Sequence, residues 1–428
     1  MLFKNIDILD ENFDYIKNCH IGIDGEKIDY IGKELPDKNY GRVYNGTGKL
    51  LMPGLVNAHS HVPMTLLRGY AENMKLQDWL TKRIFPFEAK MTAEDIYNGS
   101  MLGFAEMVRF GIVSTTDMYF MDEYIAKAAM DAQIKCNLSI GTTSSGDKGY
   151  YDLPVFEENN SLIKNYHNKE NGRIKIDLSL HAEYTSNEKT VSQLAEFAQK
   201  SNVRMHIHLS ETKQENEQCK QRHNMTPAKY FYTNGIFNVP TTAAHCIWLE
   251  DEDYDILKEN NVTAACCPVS NLKLASGFCN APKLYNKGIN VALGTDGAAS
   301  NNNLNIFEDL KIFALIYKAS FNDPTVITPK QAIMSATKNG AISQGRDDCG
   351  AIKVGNKSDI IVLDIDKPWM TPNHNILNNI VYSAQGSDVV FTMVDGRVLY
   401  EDGEYYSIDI EKAIYNANMS AKFILSKL

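Results

Sequence analysis

The sequence predicts an α/β fold, namely a (β/α)8 TIM-like barrel with a small β-sandwich domain formed by both termini. Between about residues 52 and 349, short apolar segments alternate with amphipathic helical patterns, and eight such segments can be counted. Near-continuous apolar runs of this kind are typical of parallel strands buried on both faces. The two ends of the chain lack this alternation of apolar segments and helical patterns. At 428 residues the chain is long enough for one large barrel plus an appendage.

Both ends of the chain show alternating segments that predict β-strands. Residues 1–51 contain "FKNIDILD" and "CHIGIDGEKIDYIG", in which Asp24-Gly25 is a hairpin signal. The same alternating pattern occurs after residue 350 in "GNKSDIIVLDID" and "VVFTMVDGRVLYEDGEYY". We therefore predict one composite β-sandwich domain from residues 1–51 and 350–428, ending in a helix over Ile408–Leu428, and a barrel domain over residues 52–349.

Eight apolar segments, each followed by a helical pattern, predict the barrel strands. In chain order they are Leu51–Val56, Ile112–Met118, Lys135–Ile140, Ile174–Leu180, Val203–Leu209, Thr241–Ala244, Val262–Cys267 and Asn290–Leu293. In such a barrel the carboxyl ends of the strands meet at one mouth, and active sites lie there. Residues that are far apart in the sequence can therefore meet around one point.

Composition and charge exclude several classes of protein. The net charge is −10, and no basic block marks a nucleic-acid partner. No apolar run approaches the roughly 18 residues of a membrane span, and the acidic, alternating N-terminus does not resemble a signal peptide. The eight cysteines form no C-x-x-C pair, so we interpret them as reduced and buried thiols. We expect a cytoplasmic protein without a membrane or nucleic-acid partner.

The residues that carry chemistry lie at the ends of the predicted strands. Asp296 ends the eighth strand, and six of the ten histidines lie at or inside strand ends: His59, His61, His181, His206, His208 and His245. Residues i and i+2 of an extended segment point the same way, about 7 Å apart, so His59 and His61 aim at one spot. With His208 and Asp296 they form a set of ligands that zinc accepts while it keeps a position for water. The ion would activate that water for attack.

Each of these residues also has a structural interpretation. A lone H-x-H pair is a weak signal, and His181 or His245 alone could be an ordinary core or turn histidine. Asp296 precedes a glycine and could belong to a simple turn. His206 shares a face with His208 but lies one pleat deeper, where it would support the site or pack. The combination of these residues at several strand ends is what predicts a metal site.

Glu211 follows His208 by three residues in "HIHLSET" and would point into the mouth. A carboxyl group there can move protons between the attacking water and a ring nitrogen of a substrate. The alternative is a helix N-terminus, with Ser210 as the cap and Glu211 favouring the helix dipole. His245 could hold the attacking water, and Asp296 could accept its proton.

The chain resembles the amidohydrolase superfamily over nearly its whole length. Within it, the chain is similar to the 5-methylthioadenosine/S-adenosylhomocysteine deaminases and the related chlorohydrolase-like enzymes. The matching motifs are "PGLVNAHSHVPMTLLRG", "HIHLSET", "AAHCIWL", "PVSNLKLASG", "LGTDGAASNNNLNIFEDL" and "GNKSDIIVLD". The resemblance implies a barrel with a β-sandwich and one divalent metal ion per subunit, usually zinc, with iron(II) as the alternative. It implies metal ligands at His59, His61, His208 and Asp296.

The resemblance also assigns the substrate side of the site. It implies that Glu211 moves a proton to and from the purine ring and that His245 lies near the hydrolytic water. Glu88 in "IFPFEAK" matches the acid that holds the ribose hydroxyls, and His181 matches the histidine that touches the purine. Trp79 in "LQDWL" matches an aromatic residue that shields the nucleoside, although plain helix packing also explains it. The implied reaction is hydrolytic deamination of the adenine ring of 5-methylthioadenosine, S-adenosylhomocysteine or adenosine, with release of ammonia.

One departure from this resemblance concerns the substrate. Members that prefer S-adenosylhomocysteine carry arginines in the region that matches roughly residues 137–172, and this sequence has none there. Lys148 is the nearest basic substitute, and a lysine lacks the bidentate fork of an arginine. Recognition of a homocysteine tail is therefore not predicted by this sequence.

Three other functions stay open at this point. A deaminase of guanine or 8-oxoguanine, or a chlorohydrolase-type enzyme, would keep the same metal site. A two-metal hydrolase of cyclic amides would need a modified lysine at the end of the fourth strand, but Lys175 lies near the start of that strand. A non-catalytic scaffold would have lost ligands, whereas all four predicted positions and Glu211 are present. We expect the partner to be a small molecule, a purine nucleoside or a related heterocycle, and a homo-oligomer remains open.

Overall fold

Two β-sheets organise the molecule, and the computed structural model describes both of them over residues 1–428. The strands, numbered in chain order, are Leu2–Leu9 (β1), Tyr15–Asp24 (β2), Lys27–Gly32 (β3), Val43–Asn45 (β4), Lys49–Pro53 (β5), Leu55–His61 (β6), Ile112–Tyr119 (β7), Lys135–Thr142 (β8), Ile174–Ile176 (β9), Leu178–Leu180 (β10), Met205–Leu209 (β11), Thr241–His245 (β12), Thr263–Cys266 (β13), Val291–Leu293 (β14), Asp296–Gly297 (β15), Ile360–Asp364 (β16), Val389–Val394 (β17), Arg397–Glu401 (β18) and Glu404–Tyr405 (β19).

The α-helices surround these sheets and are numbered in the same way. They are Leu76–Trp79 (α1), Phe85–Glu88 (α2), Ala93–Arg109 (α3), Asp122–Ala132 (α4), Pro154–Tyr166 (α5), Lys169–Gly172 (α6), Glu188–Ser201 (α7), Lys213–His223 (α8), Pro227–Thr233 (α9), Asp251–Glu259 (α10), Pro268–Lys273 (α11), Ala281–Asn286 (α12), Ile306–Ser320 (α13), Pro329–Ser335 (α14), Lys338–Ser343 (α15), Ile376–Tyr382 (α16) and Ile410–Leu425 (α17). The structure contains no helix with both the length and the apolar character that crossing a membrane requires.

The parallel sheet closes into the predicted (β/α)8 barrel. Its strand order is β14-β13-β12-β11-β10-β8-β7-β6-β15, and β9 lies beside β8. The short strands β14 and β15 follow each other in the chain. One pairs with β13 and the other with β6, so the eighth strand joins the two edges of the sheet. The fourth strand is built from β9 and β10, which pair with β8 on one side, while β10 pairs with β11 on the other.

The prediction of the first barrel strand as Leu51–Val56 is wrong. Strand β5 ends at Pro53 and pairs with β16 of the terminal sheet, whereas the barrel strand β6 begins at Leu55. The change occurs at Gly54, where a Cβ atom would lie only 2.3 Å from Val113 Cγ1. The apolar run continues through the junction, so its composition does not mark where the chain changes sheets. The predicted domain limit at residue 51 falls inside β5.

The second sheet is the β-domain that both termini build. Its order is β19-β18-β17-β16-β5-β1-β2-β3, with β4 beside β1. On a flat sheet, β1 and β17 would lie about 14 Å apart, since they are three strand spacings from each other. Yet the rings of Phe3 in β1 and Phe391 in β17 have centroids only 5.4 Å apart. The sheet therefore curves around a core of its own, and this core includes Ile6, Ile21 and Ile360.

The last helix, α17, packs on the barrel helix α3 and not only beside the terminal sheet. Its inward face consists of Ala413, Ala417, Ser420 and Ile424. Asn98 Nδ2 of α3 donates a hydrogen bond to Ser420 Oγ at 3.1 Å. The helix begins two residues later than the predicted Ile408 because Asp409 caps it, accepting from the Lys412 amide at 3.0 Å.

Candidate active site

The side chains that were predicted to meet do meet at the carboxyl ends of the barrel strands. The ligand atoms of His59, His61 and Asp296 all lie within 4.8 Å of one another. The same holds for His59, His208 and His245. His59 belongs to both groups, so all five side chains surround one small volume. His61 Nε2 is 3.3 Å from Asp296 Oδ1, and His59 Nε2 is 3.6 Å from the same oxygen.

The first and eighth strands are bound tightly to each other beneath this cluster. Asn57 Nδ2 donates to Thr295 Oγ1 at 2.7 Å, and the Thr295 amide donates to Asn57 Oδ1 at 3.0 Å. A Cβ atom on Gly294 would lie 2.8 Å from the carbonyl oxygen of His59, so the close approach requires glycine. These contacts fix the position of Asp296 relative to the two histidines of β6.

Hydrogen bonds to backbone carbonyls orient two of the histidines. His208 Nδ1 lies 2.6 Å from the carbonyl oxygen of His181, and His61 Nδ1 contacts that of Met118. A carbonyl only accepts, so both rings carry their proton on Nδ1 and leave Nε2 with a free lone pair. Histidines that bind metals in proteins are usually held in this way.

His59 lies deepest in the cluster and is completely buried. Its Nδ1 is 2.9 Å from His206 Nε2, and its own Nε2 has no hydrogen-bond partner. Burial lowers the pKa of His59 to about 3, so the ring is neutral. A buried polar nitrogen without a partner, beside a carboxylate and two free imidazole nitrogens, is what a divalent cation would satisfy. The residues present therefore fit a metal ion, and His206 supports the site from below.

Asp296 is held by groups that sequence reasoning missed. Ser270 Oγ and Ser300 Oγ donate to its Oδ2 at 2.6 Å and 3.1 Å, and the Gly297 amide donates to Oδ1 at 2.7 Å. Burial favours the neutral acid, but the neighbouring imidazoles outweigh it and hold the pKa of Asp296 well below its usual range. The carboxylate is therefore ionised and available to a cation. Its φ of +63° turns the chain sharply where β15 begins.

Glu211 stands outside the helix that follows it. The N-cap of α8 is Thr212 and not Ser210, since Thr212 Oγ1 accepts from the Glu215 amide at 3.1 Å. The carboxylate of Glu215, also missed by sequence reasoning, accepts from the amides of Ser210 at 3.1 Å and Glu211 at 2.8 Å. These bonds leave the Glu211 carboxyl group free to enter the mouth, and burial raises its pKa.

His245 faces Glu211 across the mouth. Its Nε2 lies 3.9 Å from Glu211 Oε2, and its Nδ1 lies 2.8 Å from Asn271 Oδ1. Burial opposes a charge on this ring, but Glu211 and Asp296 outweigh it, so the pKa of His245 is raised. Asn271 lies in the motif "PVSNLKLASG", whose individual residues had received no role from the sequence.

The cluster opens into a cavity of about 450 Å³. Its walls include the three remaining predicted residues, Glu88, His181 and Trp79. Tyr119 Oη donates to Glu88 Oε1 at 2.6 Å, and burial raises the pKa of Glu88 to about 7. Trp79 is buried, and its Nε1 donates to the carbonyl oxygen of Ala71 at 3.2 Å. The structure thus brings every predicted substrate-facing residue to the cavity that holds the cluster.

The rest of the cavity wall is largely apolar and carries no positive side chain of the lysine or arginine type. The apolar residues include Leu76, Leu80, Ile84, Phe85 and Phe120, and no Lys or Arg lines the cavity. Lys148 is exposed and lies outside the wall. Lys175 donates to the carbonyl oxygen of Gly345 at 2.6 Å and also lies outside it, so no lysine is available to bridge two metal ions.

Comparison with known proteins agrees with this geometry. The model of the amidohydrolase family matches residues 50–399. The chain is 42% identical, over 100% of both chains, to a 5-methylthioadenosine/S-adenosylhomocysteine deaminase of Thermoanaerobacter pseudethanolicus. It is 38% identical to a 5'-deoxyadenosine deaminase of Methanosarcina acetivorans, over 100% of this chain and 99% of that one.

A solved structure shares the whole architecture. The crystal structure of an adenosine deaminase from Xanthomonas campestris with bound zinc superposes with a TM-score of 0.93. It covers 99% of this chain and 98% of its own, at 28% identity. A relative with this fold thus contains bound zinc, and the present chain has a cluster that fits an ion. The chain belongs to the amidohydrolase family and is a hydrolase that acts on carbon–nitrogen bonds.

Proposed function

We propose that the protein is a metal-dependent deaminase of adenosine-type nucleosides whose 5′ end is neutral, such as 5-methylthioadenosine, 5′-deoxyadenosine and adenosine. One observation carries the proposal: a cluster that fits a cation and a buried acid, Glu211, line the same cavity as a second acid, Glu88. Glu211 can donate a proton to a ring nitrogen of the substrate. Glu88 can accept hydrogen bonds from a pair of sugar hydroxyls. The names of the two relatives include 5-methylthioadenosine and 5′-deoxyadenosine, which belong to this class, and the first name also includes S-adenosylhomocysteine, which does not.

The proposed ligands of one divalent ion are His59, His61, His208 and Asp296. Zinc is the first choice because this set of nitrogens and one carboxylate suits it and because the Xanthomonas enzyme contains it. Iron(II) is the alternative, since imidazole and carboxylate also suit it. When bound, the ion supplies Lewis-acid activation of the attacking water.

The chain's own residues move the protons of the reaction. Water adds to carbon 6 of the adenine ring, the ring nitrogen beside it gains a proton, and the amino group leaves as ammonia. Glu211 carries the proton to the ring because its carboxyl group lines the cavity beside the cluster, where burial raises its pKa. His245 holds the attacking water, and the ionised Asp296 accepts a proton from it. Asp296 then gives this proton to the amino group as it leaves, and Glu211 regains a proton from the new carbon-6 hydroxyl.

Three residues of the wall bind the nucleoside. Glu88 accepts hydrogen bonds from the two ribose hydroxyls, and Tyr119 orients it by donating to Oε1 at 2.6 Å. His181 contacts the purine ring, and Trp79 shields it from water. A free guanine or 8-oxoguanine would leave Glu88 without its hydroxyl partners, which is why we place those bases second. A chlorohydrolase-type reaction is also ranked lower, and a non-catalytic scaffold does not account for an intact cluster.

The charge of the cavity favours nucleosides whose 5′ end is neutral. The lining residues carry three carboxyl groups, Glu88, Glu211 and Asp296, and neither a lysine nor an arginine. The carboxylate of S-adenosylhomocysteine would enter this wall without a cationic partner, and burying an unpaired charge is costly. A methylthio or methyl group instead fits apolar walls such as those formed by Leu80 and Phe85.

The test is a substrate panel with the zinc-loaded protein. The panel contains 5-methylthioadenosine, 5′-deoxyadenosine, adenosine, S-adenosylhomocysteine, guanine and 8-oxoguanine, and ammonia is measured. We expect kcat/KM for 5-methylthioadenosine to exceed that for S-adenosylhomocysteine by at least about tenfold, which corresponds to 1.4 kcal/mol. Equal rates for both would refute the argument from charge. Ammonia from guanine or 8-oxoguanine alone would refute the proposed substrate class.

A further inference from the structure

The outer side of α17 carries an apolar stripe that is largely uncovered, although the Lys427 Nζ atom lies 3.6 Å from the centroid of the Phe423 ring at its end. Tyr415, Met419 and Phe423 follow each other at intervals of four residues and therefore lie on one side of the helix. Their exposed fractions are 64%, 47% and 52%. The opposite face is already used, because Ala417 and Ser420 pack inward. Single exposed apolar residues are ordinary, whereas a continuous row of large ones marks a contact surface.

Two unpaired charges lie along one edge of this stripe. Glu411 is at the start of α17 and Lys422 is near its end, eleven residues or three helical turns later, so both are on the same side. Both side chains are exposed, and neither takes part in any ion pair of the structure. The helix thus presents an acid at one end and a base at the other, with the apolar stripe beside them.

We propose that this stripe is the contact between two copies of the chain, related by a two-fold axis with their α17 helices antiparallel. In that arrangement the start of one helix lies beside the end of the other. Glu411 then faces Lys422 of the partner subunit, and the symmetry repeats the pair. Tyr415 packs on the partner's Met419, and the two-fold axis repeats this contact as well. The surface complements itself in both charge and apolar character, which is the requirement of a two-fold contact.

The size of the surface sets the strength of the contact. A helix of 16 residues is about 24 Å long, so one helix face contributes less than the roughly 800 Å² per partner of a standard interface. The dimer is therefore reversible and depends on concentration. Its two ion pairs are exposed and weaken with salt.

Sedimentation equilibrium of the full-length chain over the micromolar to submillimolar range tests the proposal. The average mass is expected to rise with concentration from 48.1 kDa toward twice that value. Glu411→Lys or Lys422→Glu alone turns two attractions into two repulsions and should weaken association by at least about tenfold. The double variant Glu411→Lys, Lys422→Glu restores the opposite charges and should return to the wild-type curve. A monomer at every concentration, or a double variant no better than the single ones, overturns the proposal.

Cross-linking tests the same contact by position. All eight native cysteines are buried, so Met419→Cys adds the one exposed thiol. A short bis-maleimide should link two copies of this variant, and adding Lys422→Glu should reduce the linked fraction. Ser161→Cys, on the exposed side of α5, is the matched control and should remain unlinked. Equal linking at positions 161 and 419 would place the contact elsewhere and overturn the proposal, as would the absence of linking at both.

Discussion

At the scale of single residues, the cluster depends on which nitrogen of each imidazole is already occupied. The Nδ1 atoms of His61, His208 and His245 are each bound to an oxygen atom of the protein. The Nε2 atoms are therefore the ones left for a cation, a water molecule or Glu211. His59 uses another histidine, His206, instead of an oxygen. In "HIH", His208 is thus a candidate ligand, whereas His206 supports the candidate ligand His59.

The central prediction at this scale concerns Glu211. Its Oε1 lies 3.5 Å from Ser276 Oγ and its Oε2 lies 3.9 Å from His245 Nε2, so a glutamine fits the same space. Glutamine cannot hold and return a proton. Glu211→Gln should therefore lower kcat by about 10²–10⁴-fold, the usual contribution of a positioned acid–base group. The measurement is ammonia release from 5-methylthioadenosine, together with the zinc content per chain.

The zinc content separates this role from a role in binding the metal. Glu211 is outside both groups of potential ligands, so the variant should keep its zinc. Asp296→Asn is the comparison, because Asp296 belongs to one of those groups and its loss should lower zinc content as well as activity. If Glu211→Gln keeps at least half of the wild-type turnover with full zinc, the acid is not the proton carrier.

At the scale of elements, the loop between β11 and α8 explains how an acid can stand at a strand end. Glu215 is in the first turn of α8 and reaches back to the amides of Ser210 and Glu211. Glu215→Gln would turn an NH2 group toward one of these amides and leave it unpaired, at about 1–3 kcal/mol. We expect this loss in urea unfolding and a fall in kcat of more than tenfold, because the backbone of Glu211 shifts.

A cap of the same type at another helix is the control for Glu215. In α10, Asp253 Oδ2 accepts from the Glu250 amide at 2.8 Å, and neither residue lines the cavity. Asp253→Asn should lower the free energy of unfolding by a comparable amount while kcat stays at the wild-type value. If both variants lose kcat equally, the effect of Glu215 is a general loss of stability and not a local one.

The sequence predicts the elements better than their junctions and contacts. The apolar runs predict the barrel strands, with only the first misplaced at its start, and the histidines at the strand ends predict the candidate ligands, because both signals are periodic or rare. Ser270, Asn271 and Ser300 carry no such signal, since serine and asparagine are common in loops and only folding brings them to Asp296 and His245. Similarly, the end of β5 at Pro53 lies within a continuous apolar run, so its composition could not reveal a change of sheet.

At the scale of the whole molecule, a buried ion cluster joins the barrel to the terminal sheet. Lys135 begins β8 at the end of the barrel opposite the cavity. Its Nζ contacts Asp359 and lies 2.8 Å from Asp395 Oδ1, next to β16 and β17. All three side chains are at most 3% exposed. The sequence does not predict this ion cluster, because Lys135 is the first residue of the apolar run "KCNLSI" and only its place in a strand can be inferred from that run.

Removal of this lysine should destabilise the junction between the two sheets. Lys135→Met leaves two buried carboxylates without their shared cation, and breaking a buried pair from one side costs about 3–5 kcal/mol. We expect a loss of that size in the free energy of unfolding from urea titration, with kcat preserved in the folded fraction because the site lies at the other end of the barrel.

Lys189→Met is the matched control, since its ion pair with Asp152 is 3.2 Å long and more than half exposed on both sides. That pair should contribute less than about 1 kcal/mol. Equal losses for the two variants would mean that the buried cluster does not hold the sheets together.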